Sequence, residues 1–381
     1  MALTAERLGT AVTPSPAFLG ATLSAGAVVL FAAADGGIAP TAWRAGTVAL
    51  AGAAALLALR PTTRRVRANL SFAVPLCGYA ALSLISALWS ADPSASILDA
   101  QRTLLYIAGL AAFLLAGEGL AAGVVVGSVV VGAWALVVRA VDGAPLDSYE
   151  GRLLTRPIGY ANGLGALMAV GAAVSLALAL RARRPLFAAP LAVLVPALAL
   201  TNSRGSELAL AVGCLVAVAL SAKRRAVAVL LVAGSATLLA WLLVLPPTGI
   251  GDRAAYWSAA RATTGAHPLD GTGAGTFGRV HLLAPYARDA HSLYLQVLSE
   301  LGVGGFVLIL AFLAIPLSLA IRRNLAAPAA GLTVFVLHAG IDWDWQIPAV
   351  TFSALALVAA SVAHRSHAGG LEPSHSGRNE T

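Results

Sequence analysis

The sequence is poor in charge. Of 381 residues only 11% are Asp, Glu, Lys or Arg, while 59% are hydrophobic. Mean hydropathy is +0.82. A soluble domain carries about 25% charged and about 45–50% apolar residues, so a soluble enzyme, a disordered chain and a fibrous repeat are excluded. Cysteine is nearly absent. Cys77 and Cys214 both fall inside apolar runs, so no disulfide framework is implied. Lys223 is the only lysine, which with the Ala and Gly load reads as a GC-rich coding bias. No His, Cys and acidic residues stand at metal-ligand spacing, so no metal is expected. No internal repeat or sustained heptad is visible. Residues Met1–Pro16 lack the charged, apolar, small-residue order of a cleaved signal peptide, so the first apolar run is expected to be retained.

What the chain does have is apolar runs. They fall at 17–34, 43–59, 68–90, 103–117, 119–138, 158–180, 185–201, 205–221, 225–245, 291–320, 325–341 and 346–363. Most approach the roughly 20 residues a helix needs to cross a hydrocarbon core of about 30 Å. In lipid only helices and closed barrels satisfy their own backbone. The reading is an all-α integral membrane protein: one polytopic domain over residues 1–381 with about twelve transmembrane helices. The excess of 25 basic over 17 acidic residues would hint at nucleic acid in a soluble protein. Here it is read as topology. An inside N-terminus puts the short basic connectors Arg60–Arg67, Arg181–Arg184, Lys223–Arg225 and Arg322–Arg323 all on the cytoplasmic side, as the positive-inside rule asks. Sorted this way, the inside carries net charge +11 and the outside −3. Both termini are then cytoplasmic, and the polar tail 364–381 is expected to be disordered.

Three external segments are long or polar: 139–157, 201–204 and 246–290. The last is far beyond the usual connection of a few residues, and such loops are often functional. It holds Arg253, Arg261, Arg279, Arg288, His267 and His281, against a topology rule that disfavours external arginine. We read it as an extracytoplasmic catalytic loop carrying short helices.

Several motifs border this face. In Thr201-Asn202-Ser203-Arg204-Gly205-Ser206-Glu207, Arg204 stands where one apolar run ends and the next begins. It is either a snorkelling helix-end anchor or an anion clamp beside a helix N-terminus. Asp252–Trp257 reads as the start of an amphipathic segment, with Tyr256 and Trp257 suited to an interface and Arg253 either a second anion ligand or solvated. In Pro268–Phe277, Gly271, Gly273 and Gly275 make a tight turn or let backbone N–H groups approach a ligand. This is no dinucleotide fingerprint, since it follows no strand.

His291 opens the long run 291–320, where a neutral imidazole could accept a proton, with Tyr294 close by. Glu300 lies about 2.5 turns further on, on the opposite face. It is therefore expected to bond Gln296 or a neighbouring helix rather than His291. Asn162 lies near the outer end of its run. Ile341–Gln346 is an acidic-aromatic turn in which Trp343 and Trp345 read as membrane-belt residues. Asp342 there could orient an arginine or bind a sugar hydroxyl.

In order and spacing these motifs resemble the O-antigen ligase and O-antigen polymerase superfamily, polytopic bacterial glycosyltransferases of surface-polysaccharide assembly. The resemblance covers about 157–346. It rests on P-I-G-Y-A-N-G-L-G, T-N-S-R-G-S, D-R-A-A-Y-W-S-A-A, H-P-L-D-G-T-G-A-G-T-F and A-H-S-L-Y-L-Q-V-L-S-E-L-G-V-G-G. Ser292 stands where the family usually shows Asn. The resemblance implies transfer of a glycan from undecaprenyl diphosphate to a hydroxyl of a glycan or lipid-glycan acceptor. The reaction would run at the outer face of the cytoplasmic (inner) membrane, with no cofactor and no nucleic acid. It implies Arg204, Arg253 and His291 as catalytic residues: two guanidiniums on the diphosphate and an imidazole as base. Asn162, Tyr256, Gly273, Gly275, Tyr294 and Asp342 are expected to bind substrate. Ligase and polymerase share this chemistry and differ in acceptor. A transporter or lipid flippase, and a non-enzymatic membrane scaffold, are the readings from other classes.

Overall fold

A computed structural model describes residues 15–60, 69–143, 150–221, 251–283 and 287–363. Among them there is no strand. The helices are α1 (Pro16–Ala33), α2 (Pro40–Ala58), α3 (Val74–Ser86), α4 (Pro93–Ala116), α5 (Leu120–Asp142), α6 (Ala161–Ala182), α7 (Leu191–Thr201), α8 (Arg204–Ser221), α9 (Arg253–Ala266), α10 (Phe277–Val280), α11 (Leu293–Arg322), α12 (Ala326–Ala339) and α13 (Pro348–Ala363).

Seven of these, α1, α2, α4, α5, α6, α8 and α11, are long and apolar enough to cross a membrane. Four shorter apolar helices accompany them: Leu70–Ser86, Pro185–Thr201, Ala326–Ala339 and Pro348–Ala363. The described residues are thus all-helical, and their apolar helices are those of a multi-pass membrane protein. Eleven of the twelve expected runs coincide with these apolar helices. The run 225–245, the connector Lys223–Arg225, most of Arg60–Arg67 and the tail 364–381 lie outside the described residues.

The helix ends follow local chemistry. Pro16 and Pro93 occupy first-turn positions, where a missing N–H is harmless. Ser15 caps α1 by accepting from Phe18 N at 3.2 Å, and Asp92 caps α4 by accepting from Ser94 N at 3.1 Å. Between α7 and α8 the chain turns in two residues. Asn202 takes φ 52°, a left-handed conformation that Asn tolerates better than most residues. That turn makes Arg204 the first residue of α8.

Small side chains let the helices approach closely, as in membrane bundles generally. A Cβ on Gly123 of α5 would stand 1.9 Å from Ser24 Oγ of α1, and one on Gly213 of α8 would stand 2.5 Å from Val334 of α12. α6 is a central helix, with 78% of its apolar stretch buried against 17% for α2 at the periphery. It packs on α5, α7, α8, α12 and α13.

The bundle has two chemically distinct ends. At one lie Glu118, Arg181, Arg323 and the start of α12, tied by Arg181 Nη1 donating to Asn324 O at 3.1 Å. At the other lie Tyr160, Arg204, Arg253, His338 and Asp342. The long loop is fastened at this second end. Ala91 N donates to Thr272 O at 3.0 Å, and Val303 N to Pro268 O at 2.9 Å.

Candidate active site

Arg204 enters the site as the first residue of α8, and Arg253 as the first of α9. α9 is amphipathic as expected: Tyr256, Ala260 and Thr263 are buried on one face, and Tyr256 and Ala260 pack with Phe277, Ala287 and Ala290 in a small core of the loop itself. The two arginines, some fifty residues apart in sequence, line one cavity of about 320 Å³ together with Asn162, Ser203, Trp257, His338 and Asp342.

Asp342 organises this cavity. Its side chain is 2% exposed. Oδ1 accepts from Tyr160 Oη at 2.7 Å and from Trp343 N at 2.8 Å. Oδ2 accepts from Asn162 Nδ2 and from Arg253 Nη2, both at 2.7 Å. Burial opposes the charge of Asp342, but the neighbouring His338 and Arg253 outweigh it and hold the carboxyl below its ordinary range. Burial likewise works against the charge on Arg253, and the Asp342 carboxylate more than compensates. Burial, then the Asp342 charge, push the Tyr160 phenol well up, so it stays a donor. Of the two roles open to Asp342, orienting an arginine is the one its geometry fills. Asn162 sits one step behind the arginine, as a donor to that carboxylate. The pair leaves Arg253 with unused capacity: its side chain is 26% exposed, and its Nε has no partner among the described residues. Arg204, half-buried, makes no hydrogen bond or ion pair within the described residues.

His291 joins from the loop's far end. The expectation that the helix opens at His291 is corrected, since it starts at Leu293. Ser292 is the cap, its hydroxyl accepting from Leu295 N at 3.4 Å, and His291 precedes it in the left-handed region at φ 49°. Ser and Asn are both good N-caps, which accounts for Ser292 at a position where Asn is usual. Trp257 Nε1 donates to His291 O at 3.2 Å, Tyr256 lies ring to ring with His291 at 5.3 Å, and His291 Nδ1 is 3.1 Å from Asp289 O. His291 is not among the residues lining the arginine cavity; it adjoins that cavity through its backbone carbonyl on Trp257, which does line it. Its charge, when protonated, is felt at Asp342.

Other expected residues have different settings. Tyr256 is mostly in the loop core and touches His291. Tyr294 donates its hydroxyl to Val336 O at 2.8 Å, bracing α11 against α12. The glycine cluster is a strap. Gly271, Gly273 and Gly275 have φ of 64°, 98° and 71°. Gly273 N donates to Glu300 O, and Gly275 N and Phe277 N to the Glu300 carboxylate, all at 2.8–2.9 Å. Their N–H groups are thus already engaged. Glu300 also accepts from Gln296 Nε2 at 3.1 Å, in keeping with the sequence expectation. Trp345, read as a belt residue, is instead buried. Its ring faces the Arg102 guanidinium 5.0 Å away, inside a network that runs through Asp99, Gln346 and Asp289. Trp343 stacks obliquely on Tyr160, and Trp257, also read as an interface residue, lines the cavity.

The sequence reading missed Tyr160, Ser206, His338 and Asp344. The available signal was a histidine near the end of an apolar run, since ionisable residues there are rare and costly.

Residues 189–310 match the family described as O-antigen ligase. The matched stretch runs from α7 through the loop into α11 and contains Arg204, Arg253 and His291. The resemblance to the O-antigen ligase superfamily therefore stands on a family match as well as on the motifs. No curated protein matches the chain.

Proposed function

We propose that the protein is a membrane glycosyltransferase of the O-antigen ligase type. It would move a glycan from undecaprenyl diphosphate to an acceptor hydroxyl at the outer face of the cytoplasmic membrane, with both termini cytoplasmic. The observation that carries this reading is the meeting of Arg204 and Arg253 in one cavity with His291 alongside. Departure of a diphosphate develops negative charge, and two preorganised guanidiniums stabilise it where water is scarce. Asp342 holds Arg253 through Nη2 and leaves the exposed part of the guanidinium to face a ligand. In a single displacement His291 takes the acceptor hydroxyl's proton. The hydroxyl oxygen attacks the anomeric carbon, and the bond to the diphosphate oxygen breaks with inversion. The outer face has no nucleotide pool, so a lipid-linked donor is the chemically sensible one.

The test is transfer by purified protein supplied with lipid-linked glycan and acceptor. His291→Ala and Arg253→Ala should lose transfer, and Arg253→Lys should be impaired because an ammonium cannot present a planar fork. Full transfer by both alanine variants would end the assignment. Passage of substrate across vesicles without bond formation would favour a transporter. Whether the acceptor chain grows, as in a polymerase, or is capped once, as in a ligase, is read from product length in the same assay.

A further inference from the structure

His338 and Asp344 take no part in the chemistry above, yet His338 meets the same cavity and Asp344 stands behind it. His338, near the C-terminal end of α12, lines it beside Arg204 and Arg253. Its Nδ1 lies 3.0 Å from Asp344 Oδ2 and its Nε2 lies 2.9 Å from Ser206 Oγ. Ser206 Oγ is 2.8 Å from Ser203 Oγ, and Ser203 also lines the cavity. Four side chains thus form one hydrogen-bonded file from a buried carboxylate to the anion-facing surface.

This file is costly as mere packing. The His338 and Asp344 side chains are 1% and 0% exposed, and Asp344 Oδ1 has no partner among the described residues. Apolar residues of similar volume would stabilise such a position at least as well. Room has also been kept for it. A Cβ on Gly165 would stand 2.8 Å from Ser203 Cβ and 2.9 Å from Ser206 Oγ, and one on Gly205 would stand 2.8 Å from Ile341 Cδ1.

The direction of the file depends on one proton. An ionised Asp344 only accepts, so His338 Nδ1 carries hydrogen. With Nε2 bare, Ser206 donates to it and Ser203 donates to Ser206, which turns an oxygen lone pair toward the cavity. With Nε2 protonated the order reverses, and the Ser203 hydroxyl hydrogen is free for a ligand.

We propose that His338, oriented by Asp344, is a positioning residue that turns Ser206 and Ser203 so that Ser203 donates to a phosphate oxygen held by Arg204 and Arg253. This rests on the diphosphate reading of the cavity. An anion arriving there draws a proton from solvent onto His338 Nε2. The charged groups bearing on His338 are Asp344 and Asp342 from the turn after α12 and Arg253 from α9, with Arg204 from α8 across the cavity.

The experiment is calorimetric titration of the purified full-length protein with inorganic pyrophosphate, in two buffers of different ionisation enthalpy. It reads Kd and protons taken up together, with thermal unfolding of each variant alongside. Ser203→Ala and Ser206→Ala remove one oxygen each and should weaken pyrophosphate about tenfold, the usual scale for a hydrogen bond to a charged group. His338→Gln retains a donor toward Ser206 but cannot take up a proton. It should bind close to the parent while losing the buffer dependence assigned to His338. Parental affinity and proton uptake in both serine variants, while Arg204→Ala loses binding, would overturn this proposal and leave the diphosphate reading standing. Undiminished binding by Arg204→Ala would overturn the diphosphate reading itself. Should His338→Gln fail to fold, the two serine variants decide the matter.

Discussion

Two buried carboxylates at the same end of the bundle are used in opposite ways. Asp342 collects its donors from the approach to α6, from α6 itself, from α9 and from its own turn, and it opens onto a cavity. Glu300, 1% exposed, collects its donors from the glycine strap and from Gln296, and its surroundings are closed. The first holds an arginine with a nitrogen to spare. The second saturates every group it touches and pins the loop to α11. A carboxylate that closes its network builds the scaffold, and one that leaves a charged partner incompletely bonded marks the place where a ligand is missing.

The comparison breaks first if the open side proves dispensable. Arg204→Ala and His291→Ala should each lower glycan transfer by about a hundredfold or more, the scale for removing one preorganised charge-stabilising or proton-transfer group, with thermal unfolding near that of the parent. On the closed side the order of effects should invert. Glu300→Ala orphans the N–H groups of Gly275 and Phe277, at about 1–3 kcal/mol each. Its thermal midpoint should drop, and proteolysis within 268–277 should quicken. Glu300→Gln retains an acceptor and should lose less.

Gly271→Ala sharpens the same side. Its φ is 64°, and a Cβ there would stand 2.3 Å from Glu300 backbone atoms. A loss of about 1–3 kcal/mol is expected from backbone strain of this kind, read as a lower unfolding midpoint. The smallest effect concerns acid. Asp342 is held below the ordinary carboxylate value of about 3.9, so its stabilisation is complete above that pH and is lost as pH falls through its lower folded value. Parent protein should lose stability in that acid window, and Asp342→Asn, already weaker at neutral pH, should lack that component.

Much of this was legible in the sequence because it is local. Apolar run lengths gave the helices α1 to α8 and α11 to α13, the pattern beginning at Asp252–Trp257 gave an amphipathic α9, and helical geometry turned Glu300 away from His291 and toward Gln296 or a neighbouring helix. What escaped depends on pairings across long stretches of chain. Asp342 meets Asn162 from 180 positions away, and His338 meets Ser206 from 132. Periodicity names the face of a helix that is buried, but not the helix it is buried against. Trp345 shows the limit plainly. An aromatic in an outer turn reads as a belt residue, and only the position of Arg102, on a distant helix, turns it inward. The glycine strap shows another: φ above zero marks a close backbone approach, but not whether a ligand or Glu300 is what approaches.

The account is tested most directly by a structure of the full-length protein in lipid with a polyprenyl diphosphate bound. Diphosphate density between Arg204 and the free edge of Arg253, with His291 beside it, is the expected result. Density at the opposite end of the bundle, in the cavity lined by Glu118 and Arg181, with the Arg204–Arg253 cavity empty, would contradict it.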